Sequence, residues 1–333
     1  MIVSKIVTEQ FIYISLHAEE VVSSNFLEED NRGIFEDRLQ ILTLERVIKS
    51  LPENGSDTNL VLDFQNLYAC QQNLNSLIFK IKHQGYKILL INIADGVYKS
   101  LSLDAVNNTK NVHIEGVYLK YFLFEDSSDA FTDLAFSIPD LFDETFKSSI
   151  KKYIDRHDKP HTSSYVYLTS YVDIKKFLSY EKELMLYSLY RLAMRVKNKW
   201  KSEITKEPIL ICQSMTSAYI VSILSNLLKL DILILDKIGP INKLYNRLDK
   251  AISDKRKYIV VSDLVCLGTE VKIVKNLIQF TGGSYLGNVS LIKVETLSNS
   301  DILSRDATIS IFSIKKSNNK ELHYNIITDL EQL

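Results

Sequence analysis

Glycine and proline are scarce in this chain, at 10 and 5 residues of 333, and cysteine is scarcer, at three. So few breakers exclude a collagen-like, low-complexity or linker-rich chain. Cys70, Cys212 and Cys266 stand far apart, within or beside apolar runs, and none is half of a C-x-x-C pair. Neither a disulfide framework nor a zinc ribbon is encoded, and the three read as small buried hydrophobes of a reducing compartment. An excess of one charge is missing too: 40 lysines and arginines face 41 aspartates and glutamates, for a formal net charge of −1. That balance offers no basic face to a nucleic acid and ranks duplex binding low. No run approaches the roughly 18 apolar residues of a membrane span, and the opening MIVSKIVTEQFIYISL lacks the core and cleavage site of a secretory leader. A soluble, cytoplasmic protein without membrane contact is expected. The histidines, at positions 17, 83, 113, 157, 161 and 323, show no metal-ligand spacing, and no serine–histidine–aspartate grouping can be read from their order.

What is present is length and alternation. A chain of 333 residues holds two domains comfortably. FIYISL at 11–16 reads as a strand, GIFEDRLQILTLERVIKSL as an amphipathic helix, PENGSDTN as a turn and LVLDF as a second strand. The helix QQNLNSLIFKIKHQG, closed by Gly85, and the strand KILLINI follow. Strands separated by such helices make parallel sheets. HIEGVYLKYFLFED suggests further strands, SSDAFTDLAFSIPDLFDETFKSSIKKYID short helices and a crossing segment, and the linker is placed at Ile138 to Lys151. Beyond it, EKELMLYSLYRLAMRVKNKW reads as a helix with an apolar core face. Then come strand PILICQS, helix SAYIVSILSNLLK, strand DILILD, a polar loop from Lys237 to Lys257, strand YIVVSD, helix TEVKIVKNLIQF, the turn TGG and strand YLGNVSLIKV. A ligand of such a parallel array belongs at the carboxyl ends of its strands.

The stretch Asn59 to Leu101, with its LVLDF strand, short loop, helix, glycine and second strand ending in asparagine, resembles the STAS fold of sulfate transporters and anti-sigma-factor antagonists. The resemblance implies a hydroxyl switch residue before the helix, but Tyr68, Ala69, Cys70 and Gln71 stand there instead. Asp63 reads either as a strand terminator or as part of a site. What the resemblance leaves is a half that binds a protein partner or orders a dimer.

Residues 160–296 resemble the type I phosphoribosyltransferases in the order of their elements, in particular the orotate enzymes. VVSDLVCLGTEV stands where that family carries an acidic pair and a loop for the 5-phosphate: Ser262 and Asp263 match the pair, and Cys266, Leu267, Gly268, Thr269 and Glu270 the loop. ILICQSMTSAY matches the pyrophosphate-gripping loop, with Ser214, Thr216 and Ser217 as hydroxyl donors. SSYVYLTSYVDIKKFLS, ending in Tyr171, Asp173 and Lys175, resembles the segment that presents the base pocket, and Lys237 and Lys243 stand where catalytic bases ride a mobile flap. The chain is therefore expected to be α/β with a STAS-like α/β domain over 1–140 and a parallel-sheet phosphoribosyltransferase-like domain over 141–333.

Departures from the family pattern decide the expected chemistry. One acid is Ser262, the hydroxyl before Gly268 is Leu267, CQSMTS lacks a glycine, and Glu270 puts a carboxylate where a phosphate would rest. At about 4 Å that pair repels by roughly 1 to 4 kcal/mol. Plainer roles exist: Asp263 as a helix cap, Glu270 as a first-turn charge favoured by the macrodipole, Lys237 and Lys243 as solvated side chains. The expected function is a sensor or regulator that binds a phosphorylated ribose or nucleotide, with Mg²⁺ arriving only with a phosphorylated substrate. The alternatives are an active transferase of altered substrate, with Asp263, Lys237 and Lys243 catalytic, and a scaffold in a defence or operon complex. A homodimer is expected from the family and from the apolar faces of LMLYSLYRLAM and YIVSILSNLL.

Overall fold

A computed structural model describes residues 5–8, 10–17, 38–53, 55, 58–102, 110–114, 118–123, 134–163, 166–235, 256–266, 268–294, 308–314 and 325–326. The chain divides into two compact units, Met1–Thr145 and Phe146–Leu333. No helix among the described residues is long and apolar enough to cross a membrane.

The first unit is built on β1 (Lys5–Val7), β2 (Phe11–Ser15), β4 (Asn59–Asp63), β6 (Lys87–Ile91), β7 (Lys110–Ile114) and β8 (Tyr118–Leu123), in the sheet order β1-β2-β4-β6-β8-β7. β2, β4 and β6 run parallel, with Ile12, Leu60 and Ile88 in register, while β1, β8 and β7 pair antiparallel at the flanks. The parallel strands are nearly continuous apolar runs because both their faces are covered. α1 (Ile41–Ser50) and α2 (Asn75–His83) bury Leu44, Val47, Ile78 and Ile81 against Ile14, Leu62 and Leu90. A short helix, α3 (Asp95–Ser100), follows β6.

Three sequence expectations change here. Of the helix expected over 33–51, residues 33–37 lie outside the described residues, and among the described ones it begins at Ile41, because Arg38–Leu39 (β3) pairs in parallel with Ala69–Cys70 (β5). The Gln71 side chain then accepts the Ile41 amide at 2.8 Å, satisfying a first-turn donor that Gln40 leaves unbonded. The second helix starts at Asn75 rather than Gln71, since Asn73 takes a left-handed φ of 66° that a helix cannot continue through. Its end is as expected: Gly85, at φ 94°, donates its amide to Lys82 O. Finally, the expected short helices form a single one, α4 (Leu134–Lys151), so the placed linker is helical and the division between units falls inside it.

The second unit opens with the antiparallel pair β9 (Ile154–Ser163) and β10 (Val166–Val172), which β16 (Asn325–Ile326) joins in parallel. Then follow α5 (Ile174–Tyr180), α6 (Lys182–Lys199), α7 (Lys201–Ile204), β11 (Ile209–Cys212), α8 (Met215–Leu228), β12 (Ile232–Ile234), β13 (Lys257–Val265), α9 (Thr269–Phe280), β14 (Ser284–Val294) and β15 (Thr308–Ile314). β12, β11, β13, β14 and β15 form, in that order, a sheet that is parallel throughout. α9 buries Val271, Val274 and Ile278 on Ile211, Tyr258 and Val260. α8 packs on β11 and β13, and α6 on α8, β14 and β15. Met185, Leu189, Leu192 and Ala193 of α6 and Ile220, Val221 and Leu224 of α8 are buried by the chain itself. Those residues of the two helices are therefore covered within the chain, while Tyr219 on α8 stays exposed.

Candidate functional site

Parallel strands deliver their carboxyl ends to one edge of the sheet, and β11 and β13 bring two loops together there. After β11, Gln213 precedes Ser214, the N-cap of α8. Ser214 Oγ accepts the Ser217 amide at 3.0 Å and donates to Ser217 Oγ at 2.7 Å. Ser217 Oγ in turn accepts the Asp263 amide at 3.2 Å, so the two serines cap a helix and lash β13 to α8. Ser217 is fully buried and Thr216 nearly so, whereas Met215 between them and Ser214 is exposed. The hydroxyls read from the sequence as ligand donors lie at the start of α8, where Ser214 and Ser217 are occupied in holding the turn.

Asp263, near the end of β13, accepts its neighbour Leu264's amide at 2.8 Å. Burial raises its carboxyl above the ordinary range, against those amide bonds and the positive charge of Lys175. Lys175, exposed on α5, therefore lies close enough for its charge to act on Asp263. Asp173, its companion in the same motif, instead caps α5 by accepting the Lys176 amide at 3.0 Å. Tyr171 lies on β10 opposite Asp155, and its side chain falls outside the described residues.

The turn from β13 into α9 needs a left-handed residue at its last position, and Gly268 supplies it at φ 70°. Thr269 opens the helix, exposed, and Glu270 follows in the first turn. Glu270 is not turned out to solvent. Burial and then the charge of Asp263 push its carboxyl up, while a hydrogen bond from Gln213 pulls it down. The same crowding reaches the cysteines: burial and then Glu270 push the Cys212 thiol up to about 11, and burial alone does so for Cys266. Neither is a thiolate nucleophile at neutral pH.

Ser262 behaves differently from its neighbour. It is 1% exposed, sits between Val261 and Asp263 in the strand, and its hydroxyl has no partner among the described residues. Ser262 therefore sets no second carboxylate beside Asp263. Leu267, Lys237 and Lys243 lie outside the described residues. Gln213 is the residue that sequence reasoning missed. Its Oε1 is buried and accepts no hydrogen bond among the described residues, while its amide reaches Glu270. The available signal was its place directly beyond a buried strand in a parallel array.

These groups share a chemical character. Two carboxyls with raised proton affinity and an amide oxygen without a donor among the described residues make an edge of acceptors at the carboxyl ends of β11 and β13, with Lys175 as the cation that Asp263 senses. Such an edge takes hydroxyl or amino groups readily, and a dianionic phosphate only when Glu270 is neutral. Among the described residues no group of three or more histidines, cysteines or acids is placed to hold a metal.

No family model matches the chain, and no curated protein matches it. Among solved structures, about half of it is similar to two orotate phosphoribosyltransferases and an adenine phosphoribosyltransferase. The orotate enzyme of Aeropyrum pernix matches at 13% identity and a TM-score of 0.37, over 51% of this chain and 92% of its own. That of Mycobacterium tuberculosis H37Rv, in complex with inorganic phosphate, matches at 14% and 0.38, over 53% and 96%. The adenine enzyme of Thermoanaerobacter pseudethanolicus matches at 16% and 0.39, over 50% and 98%. At such identities no activity named in those structures transfers to this chain.

Proposed function

We propose that the carboxyl-terminal unit binds a phosphorylated ribose or nucleotide at the carboxyl ends of β11 and β13, in a sensing role and without ribosyl transfer. The observation that carries this reading is the acceptor edge formed by Asp263, Glu270 and the undonated Gln213 Oε1. Ribose hydroxyls supply the donors that edge lacks, and the amides at the start of α9, freed by the Gly268 turn, face the phosphate. Transfer asks for more: paired acids to steady a developing cation on the ribose. With Ser262 buried inside the sheet, Asp263 stands without the neighbour that would complete such a pair on β13. Mg²⁺ in this reading arrives on the ligand's phosphates.

The amino-terminal unit, in the same proposal, is a STAS-like module that presents the signal to a protein partner. Its parallel β2, β4 and β6 with flanking helices support that reading, as does Tyr68, 66% exposed in the loop that follows β4. A homodimer belongs to the proposal too. Met215 and Tyr219, one turn apart on α8 and 87% and 42% exposed, offer a second copy an apolar contact.

The test incubates the protein with phosphoribosyl pyrophosphate, Mg²⁺ and a panel of bases including orotate, following ligand binding by calorimetry and pyrophosphate release by a coupled assay. Binding without release, weakened in Asp263→Asn, is the expected result. Release above background that disappears in Asp263→Asn overturns the sensing role and leaves an enzyme.

A further inference from the structure

A parallel sheet covered on both faces is expected to be apolar, and the sheet of the second unit departs from that along one patch. Ser262 on β13, Ser290 on β14 and Ser310 on β15 lie abreast in register, and one step toward the amino ends so do Val260, Asn288 and Thr308. Partners in a parallel register share a face, as do alternate residues of a strand, so these polar groups lie on the face that Val260 turns to α9. Asn288 and Ser290 are 0% exposed and Ser262 is 1% exposed. Among the described residues, Ser262 Oγ, Ser290 Oγ and Asn288 Nδ2 nevertheless have no hydrogen-bond partner. We propose that these three groups bind ordered internal water, one molecule or a short file, on that face of the sheet.

The spacing suits a water bridge. Neighbouring strands stand about 4.8 Å apart, and two oxygens that share one water at about 2.8 Å each stand about 4.6 Å apart at the tetrahedral angle. Hydroxyls abreast on β13 and β14 match that span. Room comes from side-chain size: the buried Val260 precedes the serine row and the buried Ile292 and Phe312 follow it, so two serines abreast leave a notch between bulkier rows. Internal water requires two to four polar partners in a polar site, and the row brings three. Asn288 is oriented for this, since its Oδ1 accepts from Tyr285 OH at 3.1 Å and from Thr308 Oγ1 at 3.0 Å, which leaves Nδ2 over. Turning the amide over exchanges its ends and leaves one unpaired all the same. Thr308 and Ser310, half-buried on the edge strand β15, give the row a way out to solvent.

A plainer account would have each hydroxyl donate to a carbonyl of its own sheet, but neither serine makes such a bond. Another would count the three groups as tolerated defects. Folded interiors pair nearly all of their buried polar groups because each one left over costs stability, and three on adjoining positions of two strands would add those costs at one place. Water removes that cost, and it braces the end of β13 that carries Asp263 directly after Ser262.

A crystal structure of the full chain at a resolution that shows ordered water tests the proposal. Water density within hydrogen-bond reach of Ser290 Oγ, and of at least one of Ser262 Oγ and Asn288 Nδ2, is the expected result, and it needs no variant. Ser290→Ala takes a partner from that water and should lower the melting temperature by about 2 to 4 °C. On a dry face the same change only removes an unpaired hydroxyl, and the variant melts at or above the parent's temperature. That outcome overturns the proposal, as does a parent structure without water density at the row. So does density for an ion or an organic molecule there, which would reassign the row to that ligand, and so do serine hydroxyls found bonded to protein groups.

Discussion

Replacing Glu270 by glutamine isolates the proton on which the proposed ribosyl site turns. The carboxyl is raised by burial and by the charge of Asp263, against the pull of Gln213. A carboxyl raised in the folded state keeps its proton where the unfolded chain has already lost it. Its stabilising contribution is therefore complete below the ordinary carboxyl range and is lost as pH rises through the folded value. Glutamine has nearly the same shape, still accepts from Gln213 and carries no charge. The variant should match the parent in acid and exceed it in stability at neutral pH. Ligand binding should follow the same sign. A phosphoryl charge about 4 Å from an ionised Glu270 is repelled by roughly 1 kcal/mol in bulk water and roughly 4 kcal/mol near a protein surface. Glu270 is partly buried, so the gain in affinity at neutral pH should lie between about fivefold and several hundredfold. The assay is titration with ribose 5-phosphate from about pH 5 to about pH 8, across the upper flank of the carboxyl range. The parent should bind more tightly as pH falls, with a limiting slope near tenfold per pH unit for one proton, and converge on the flatter curve of Glu270→Gln. Identical curves for the two proteins, or weaker binding by the variant at neutral pH, would refute the reasoning.

Other expectations concern what holds each unit together. Asp63, 4% exposed, accepts from Tyr13 OH at 2.6 Å, Asn92 Nδ2 at 2.8 Å and the Gln65 amide at 2.9 Å, clamping the ends of three parallel strands. Asp63→Ala should cost about 3 to 5 kcal/mol in urea unfolding followed by a probe in the first unit, because it orphans buried donors; a loss under about 1 kcal/mol would show the clamp to be incidental. A methyl group on Gly55 would run into the ring of Tyr86, which is fully buried and donates its hydroxyl to Pro52 O at 2.7 Å. Gly55→Ala should therefore destabilise by about 1 to 3 kcal/mol, and an unchanged melting temperature would mean the loop yields instead. In the second unit, Phe146 meets Phe177 edge-on at 5.4 Å and Phe312 at 6.0 Å. Phe146→Ala should lose about 3 to 5 kcal/mol by calorimetry, and a smaller loss would indicate that the neighbouring rings collapse into the space.

Hydrophobic periodicity is a local property, and where it alone shapes an element the sequence was enough. The residues TEVKIVKNLIQF form a helix over the expected span, because the apolar period and the preceding glycine are both written within a dozen positions. The same stretch made Asp263 and Glu270 legible as site candidates, since a strand, a glycine and a helix in succession place both at a strand end. Partners that are distant in sequence were not legible. Nothing near Arg38 announces that it pairs with Ala69, or that Gln71 will cap Ile41, and so the first helix was expected to begin too early. Gln213 reads as one polar residue after a strand until the fold sets it against Glu270, 57 positions on. Ser214 and Ser217 read as ligand hydroxyls until β13 claims them, and Ser290 as a strand residue until β13 lays Ser262 beside it. The sequence by itself determined which segments are buried strands and helices, because burial follows the spacing of apolar side chains along a few turns of chain. Only the tertiary structure decided which charges and hydroxyls share a site, because their proton affinities and hydrogen bonds depend on neighbours that the chain brings together only when it folds.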